Sequence, residues 1–211
     1  MRRALSSAMA VTMASLLGLL PVAKSGEVTA GVGPEHDGLI MPGDGAHATL
    51  IRSVSIAVPD VKLIRDDGRQ VSLLREVDDG RPVVLNFIFT SCGSTCPLMS
   101  QIFSEFQRRL GAGGSGVHLM SISVDPEEDT PARLLEYAHR FGARPGWQHY
   151  TGTLEASVAA QRAFGVYRGD KMSHVPATLM RAAPGQPWVR IEGLANPDEL
   201  LQEYHRLVAP M

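Results

Sequence analysis

Residues 55–208 predict an α/β sandwich: a central mixed sheet with helices on both faces and a β-hairpin at its N-terminal end. Three observations carry the prediction. Apolar, β-branched runs alternate with segments of helical spacing, the pattern of strands crossing over through helices into a mainly parallel sheet. Turn signals at Asp66-Asp67-Gly68 and at Pro184-Gly185 pair neighbouring strands near the two ends of the domain. Thr130-Pro131 and Asn196-Pro197 each place a capping side chain before a proline, the signature of a helix start.

Taken in order, "VSIAVPDVKLIRDDGRQVSLLREV" gives two alternating segments around Asp66-Asp67-Gly68 and opens the domain with an antiparallel pair. "RPVVLNFIFT", residues 81–90, is a nearly continuous apolar run, as expected of a strand covered on both faces. After Pro97, the spacing of Met99, Ile102, Phe103, Phe106 and Leu110 predicts a helix stopped by Gly111. "VHLMSISVD", residues 117–125, is a second buried strand, and "PARLLEYAHRFG" a helix capped by Thr130. A short extended "WQHYTG", a helix over "LEASVAAQRAFGV", a hairpin of "ATLMRA" with "PWVRIEGL", and a last helix over "DELLQEYHRLV" complete the chain. The order ββ, βαβα, β, α, ββα suits a thioredoxin-like sandwich, with the terminal hairpin as an antiparallel edge. No repeat is visible at periods of about 20–50 residues.

The 211 residues suffice for one full domain plus additional chain. With 20 basic and 22 acidic residues the net charge is −2, which offers nothing to track a phosphate backbone and excludes nucleic acid as an expected partner. Residues 1–25 differ from the rest: Arg2 and Arg3 precede an uncharged run from Ala4 to Ala23, and Ala23 and Ser25 supply the small residues of a cleavage site. This is read as a secretory signal, diluted in hydrophobicity by Ser6, Ser7, Thr12 and Ser15; the alternative is a membrane anchor through residues 4–23. No cysteine follows the run, which argues against a lipoprotein. Either way the domain is expected to be exported, periplasmic or anchored facing the periplasm. Residues 26–54 form a Gly- and Pro-rich extension that carries His36 and His47.

The two cysteines, Cys92 and Cys96, follow the first buried strand in "FTSCGSTCPLMS". A bridge between them would close too short a loop to restrict the unfolded chain much, so stability is a poor reason for the pair. Because proline disfavours helical dihedrals in the residue before it, Cys96 is expected at the N-cap, with the helix starting at Pro97. That position places its sulfur at the positive end of a helix dipole, which favours thiolate. The three-residue spacer admits both a metal held between the sulfurs and a disulfide, whose Cα separation need only be about 4.4–6.8 Å. Spacing weighs metal and redox chemistry equally.

A third ligand would discriminate. Two thiolates and an imidazole suit Cu(I) or Cu(II), whereas structural zinc normally takes four protein ligands. Of the seven histidines, His118 lies within a strand, His139 and His205 within helices, His149 in a short strand, and His36 and His47 in the extension. His174, in "GDKMSHVPATLM", stands on a loop before a strand and is the candidate. Asp125, Glu128 and Asp129 are read as a turn and a helix cap. Met99 has core spacing, and packing is preferred to a thioether ligand for Met99 and Met172.

At these residues the sequence resembles the SCO/SenC family, copper proteins of thioredoxin-like fold that assist cytochrome c oxidase assembly. The resemblance is carried by "NFIFTSCGSTCP", by "SISVDPEEDTPARLLEYAHRFG", by "YTGTLEASVAAQRAFGVY" and by a late histidine, and it covers residues 55–208. It implies that Cys92, Cys96 and the aligned His174 bind one copper ion, as Cu(I) or Cu(II). It also implies that the ion is exchanged with a cytochrome c oxidase subunit or another copper chaperone, by a domain expected to be monomeric. Ser173 stands where the family usually has aspartate. "HVPATL" looks like the Val-Pro-x-Thr segment of thiol oxidoreductases, where a cis proline faces the redox cysteines. That resemblance keeps a second function open, a thiol:disulfide oxidoreductase acting on the oxidase or on other exported proteins. In it Cys92 attacks and Cys96 resolves, or the helix dipole activates Cys96 instead. "SCGST" resembles glutathione peroxidases, without their glutamine and Trp-Asn segments.

Overall fold

A computed structural model of the chain describes residues 49–111 and 116–209. The signal or anchor assigned to residues 1–25 lies outside the described residues, as do His36 and His47. Within the described residues eight strands form one mixed sheet: β1 (Leu50–Val54), β2 (Lys62–Arg65), β3 (Gln70–Ser72), β4 (Val83–Ile88), β5 (His118–Ser123), β6 (Trp147–Gly152), β7 (Ala177–Arg181) and β8 (Trp188–Glu192). Their spatial order is β1-β8-β7-β4-β5-β6-β2-β3. Among the described residues five α-helices accompany them: α1 (Leu73–Val77), α2 (Thr95–Leu110), α3 (Pro131–Arg140), α4 (Leu154–Ala163) and α5 (Pro197–Val208). Among the described residues no helix is long and apolar enough to cross a membrane.

The parallel centre is β4-β5-β6, with Val83 opposite His118 and Leu119 opposite Trp147. All six residues of β4 are buried, as its continuous apolar run requires. Alternate side chains of these strands enter opposite cores. Val84 and Leu119 join Phe103 and Phe106 of α2 and Leu200 and Tyr204 of α5. Leu85, Phe87 and Met120 join Ala156 and Ala160 of α4 and, just beyond it, Phe164. Helices thus cover both faces. β4 is therefore fixed from two sides, and so is the point where the chain leaves it.

The capping signals hold. Thr130 Oγ1 accepts from Arg133 N–H at 3.3 Å to open α3, and Asn196 and Glu199 form a reciprocal capping box at α5. β2 and β3 pair around Asp66–Arg69, where Gly68 sits at φ 82, a conformation glycine adopts without penalty.

Three expectations change. Leu73–Val77, read as the end of a strand, is α1, because the Ser72 side chain accepts from Arg75 N–H and caps a helical turn. Leu50–Val54, assigned to the extension, is strand β1, paired antiparallel with β8 from Leu50–Glu192 to Val54–Trp188. Consequently the terminal hairpin is not an edge. β7 lies antiparallel beside β4, and β1 closes the sheet outside β8.

Candidate metal centre

Both cysteines lie where β4 hands over to α2, but not as the proline suggested. The helix begins at Thr95 with Ser94 as N-cap, so Cys96 is the second helical residue and Pro97 the third. First-turn positions tolerate proline because their N–H groups have no intrahelical partner anyway. The placement separates the roles of the two sulfurs. Cys96 turns its side chain into the core, where it is 0% exposed, while its backbone N–H donates to Cys92 Sγ at 3.4 Å.

The ionisation preferences follow. Burial pushes the Cys92 thiol up, but donation from the Cys96 and Ser94 backbone N–H groups outweighs it and sets Cys92 below an ordinary thiol. Burial pushes Cys96 up to about 12, and the nearby Cys92 sulfur and Asp129 carboxylate add to the effect. The lowered thiol pKa expected at Cys96 therefore belongs to Cys92: the amides at the helix start serve the neighbour's sulfur. Both cysteines are free thiols.

His174 follows a 3₁₀ turn, Lys171–Ser173, which Asp170 caps by accepting from Met172 N–H at 3.0 Å. Its ring packs against β4, with Nε2 3.0 Å from the Phe87 carbonyl. A carbonyl can only accept, so Nε2 carries the hydrogen. Nδ1 is shielded from solvent and has no hydrogen-bond partner among the described residues. Burial lowers the affinity of the ring for a second proton, and Arg168 adds to this against the opposing carbonyl. The ring is therefore a neutral imidazole with a free nitrogen lone pair, the form a metal ligand takes, its other nitrogen fixed on a backbone carbonyl. A cavity of about 230 Å³, lined by Val124, Leu154, Tyr167 and His174 among others, opens beside it.

The structure brings the two cysteines together, but it does not gather His174 with them. Among the described residues no three His, Cys, Asp or Glu side chains are grouped closely enough to hold a metal ion. His118 and His149 are buried elsewhere, His118 between the Glu76 carbonyl at 3.1 Å and the Tyr150 hydroxyl at 2.9 Å. His139 and His205 are exposed on α3 and α5. Met99 is in the core and Met172 is 74% exposed.

One residue that positions the cysteine loop escaped the reading from sequence. Asp129 does not cap α3, because Thr130 does. It is 0% exposed and accepts from Thr90 N–H at 3.2 Å, Thr90 Oγ1 at 2.5 Å and Ser123 Oγ at 2.6 Å. A buried carboxylate therefore ties the residue two before Cys92 to the end of β5. The available signal was the redundancy of Asp and Thr as adjacent caps.

A cysteine pair raised at the end of the central strand of a mixed, helix-covered sheet defines a thiol protein of thioredoxin-like fold. The chain belongs to the SCO1/SenC family, whose family model matches residues 53–209. It is 34% identical over 93 residues to a SCO1 protein homolog of Bacillus subtilis, covering 44% of this chain and 47% of that protein. It is similar to the ScoI structure of Arabidopsis thaliana with copper bound, at 27% identity and a TM-score of 0.58, covering 70% of this chain and 94% of the other. A structure of the Sco protein BsSco shares the fold, with a TM-score of 0.64 at 24% identity over 76% of this chain and 98% of the other. The match thus spans about half the length of the Bacillus subtilis protein.

Proposed function

We propose that this protein is a copper-binding metallochaperone, carrying one copper ion as cargo on Cys92, Cys96 and His174 for assembly of a respiratory oxidase copper centre. The observation that carries the reading is the His174 ring, neutral, anchored through Nε2–H to Phe87 and left with an unpartnered Nδ1. Cys92 supplies a sulfur already inclined to ionise. Cys96 supplies one whose proton a soft cation must displace, so loading releases protons and tightens as pH rises. To complete three ligands, His174 and the sulfurs must approach each other from their present positions. Two thiolates favour Cu(I), and the imidazole extends the site to Cu(II).

Copper titration of the reduced protein tests this. One ion per chain is expected, lost in Cys92→Ser, with His174→Ala weakening Cu(II) more than Cu(I). A His174→Ala variant whose affinity and spectrum match the parent in both copper states would overturn the ligand set. The receiving partner is proposed to be an oxidase subunit or a further chaperone. The charge and apolar pattern of residues 1–25 supports a domain exported to the periplasm, released or tethered through residues 4–23.

The asymmetry of the cysteines favours a second reading, thiol:disulfide exchange. The Cys92 thiolate attacks a client disulfide and releases one client thiolate. Cys96 then attacks the Cys92 sulfur, loses its proton, and releases the second thiolate, leaving a Cys92–Cys96 disulfide. Turnover of a model disulfide by metal-free protein distinguishes this activity from transfer alone.

A further inference from the structure

The loop that bears His174 is connected to the loop that bears the cysteines by an unbroken polar chain. Lys171, the first residue of the 3₁₀ turn, places Nζ 2.5 Å from Oδ2 of Asp125, a carboxylate only 6% exposed just beyond β5. Asp125 N–H donates to Ser123 Oγ at 2.9 Å, and Ser123 donates onward to Asp129 at 2.6 Å. Asp129 accepts from Thr90, and its own N–H donates to the Asp125 carbonyl at 2.9 Å. The turn over residues 125–129 is thus a platform, with the cysteine loop fixed on one side and Lys171 on the other.

The two attachments differ in kind. On the cysteine side Asp129 and Ser123 are fully buried and Thr90 is half-buried. On the His174 side the contact is a single ion pair whose lysine is 37% exposed and whose carboxylate is shielded. Withdrawing the lysine leaves a buried carboxylate without its counter-charge, so the pair draws the turn onto the platform. The other supports near His174 include the local turn bonds, Ser173 N–H to Asp170 O and His174 N–H to Lys171 O, both 3.1 Å, the Asp170 cap on Met172 N–H, the Lys171 ammonium 6.0 Å over the Phe89 ring, and the ring contact to Phe87.

We propose that Lys171 and Asp125 are positioning residues: their ion pair is a latch that tethers the base of the His174 loop to the platform carrying the cysteine loop, so that the ring swings toward the sulfurs from a fixed pivot. The proposal rests on the reading of His174 as a copper ligand and adds what presents it. The latch is partly open to solvent, so salt weakens it and the loop loosens as ionic strength rises.

The test uses the reduced full chain with Lys171→Met, which keeps the stem and removes the charge, Asp125→Asn, and Lys171→Arg as the conservative rescue. Amide exchange is read in the metal-free protein, and copper binding in parallel with His174→Ala. In the first two variants the Ser173 and His174 amides should exchange about tenfold faster while β4 and β5 keep their protection, and Arg should restore the parent rate. Cu(II) affinity should fall about tenfold, as for loss of a residue that orients a ligand, with the alkylation rate of Cys92 unchanged. Unchanged loop exchange overturns the latch whatever copper does. Faster exchange with Cu(II) affinity intact, while His174→Ala lowers it, overturns the positioning role and leaves the ligand assignment standing. If His174→Ala itself alters nothing, the ligand reading falls and takes the positioning role with it, a result distinct from a missing latch because exchange still reports the ion pair.

Discussion

The cysteine loop and the His174 loop approach the end of the same strand and are held in opposite ways. The first is bounded by β4 and by α2, and its Thr90 is tied to a carboxylate 0% exposed. The second is joined to the sheet by one half-exposed ion pair and one ring-to-carbonyl contact beside the bonds of its own turn, and its neighbours Met172 and Val175 are 74% and 47% exposed. The difference teaches that the thiol half of the candidate site is built into the fold, whereas the imidazole half is docked onto it. The proposed role as a copper carrier would use this combination, one rigid end to bind and one adjustable end to let go.

Asp129→Leu should break the comparison with the largest effect. It leaves the half-buried Thr90 N–H and hydroxyl and the buried Ser123 hydroxyl without their acceptor, for a loss of about 2 kcal/mol or more in urea unfolding. A loss under about 1 kcal/mol would show that the cysteine loop is not held by the carboxylate.

Reactivity should sharpen the contrast within the rigid half. Alkylation of Cys92 should rise with pH through a midpoint below that of a free cysteine, and Cys96 should stay unreactive until strongly alkaline pH, near its value of about 12. At neutral pH the two rates should differ by on the order of 100-fold, read by mass spectrometry of the alkylated peptides. Equal rates would mean that the sulfurs are interchangeable.

The docked half should respond to acid. Burial lowers the pKa of His174 in the folded state, so the unfolded chain binds the proton first as pH falls. The contribution of the neutral ring is complete above the unfolded value, about 6.5, and is lost as pH drops toward the folded one, at no more than about 1.4 kcal/mol per pH unit. His118, also lowered by burial, contributes with the same sign. Urea midpoints at pH 7.5 and 5.5 should therefore differ less in His174→Gln than in the parent; an identical acid loss in both would assign it to His118 or other groups. The smallest effect is expected at Met172: replacement by Leu should change stability by less than about 0.5 kcal/mol and leave copper affinity unaltered. A drop in Cu(I) affinity there would add a thioether to the site.

Much of this architecture was readable because its signals are local. The continuous apolar run of β4, the Thr130 and Asn196 caps and the hairpin turn at Gly68 each depend on a few adjacent residues, and each stands where it was expected. α1 was missed because "SLLREV" alternates well enough for a strand, and the Ser72 cap decides otherwise only once Arg75 N–H is in place. β1 was missed because an edge strand needs only one covered side, and its partner β8 lies about 140 residues away, as the Arg52–Glu192 contact across the pair shows.

For the site, the sequence by itself determined which atoms are available: two sulfurs at the exit of a buried strand and one histidine on a loop. Only the tertiary structure decided their chemical states. It gave the lowered pKa to Cys92 rather than Cys96, turned Asp129 from a cap into an anchor, and fixed which nitrogen of His174 carries the hydrogen. The reason is physical. Periodicity and capping act between residues a few positions apart, while desolvation, dipoles and hydrogen-bond partners at a site are set by segments that meet only when the chain has folded.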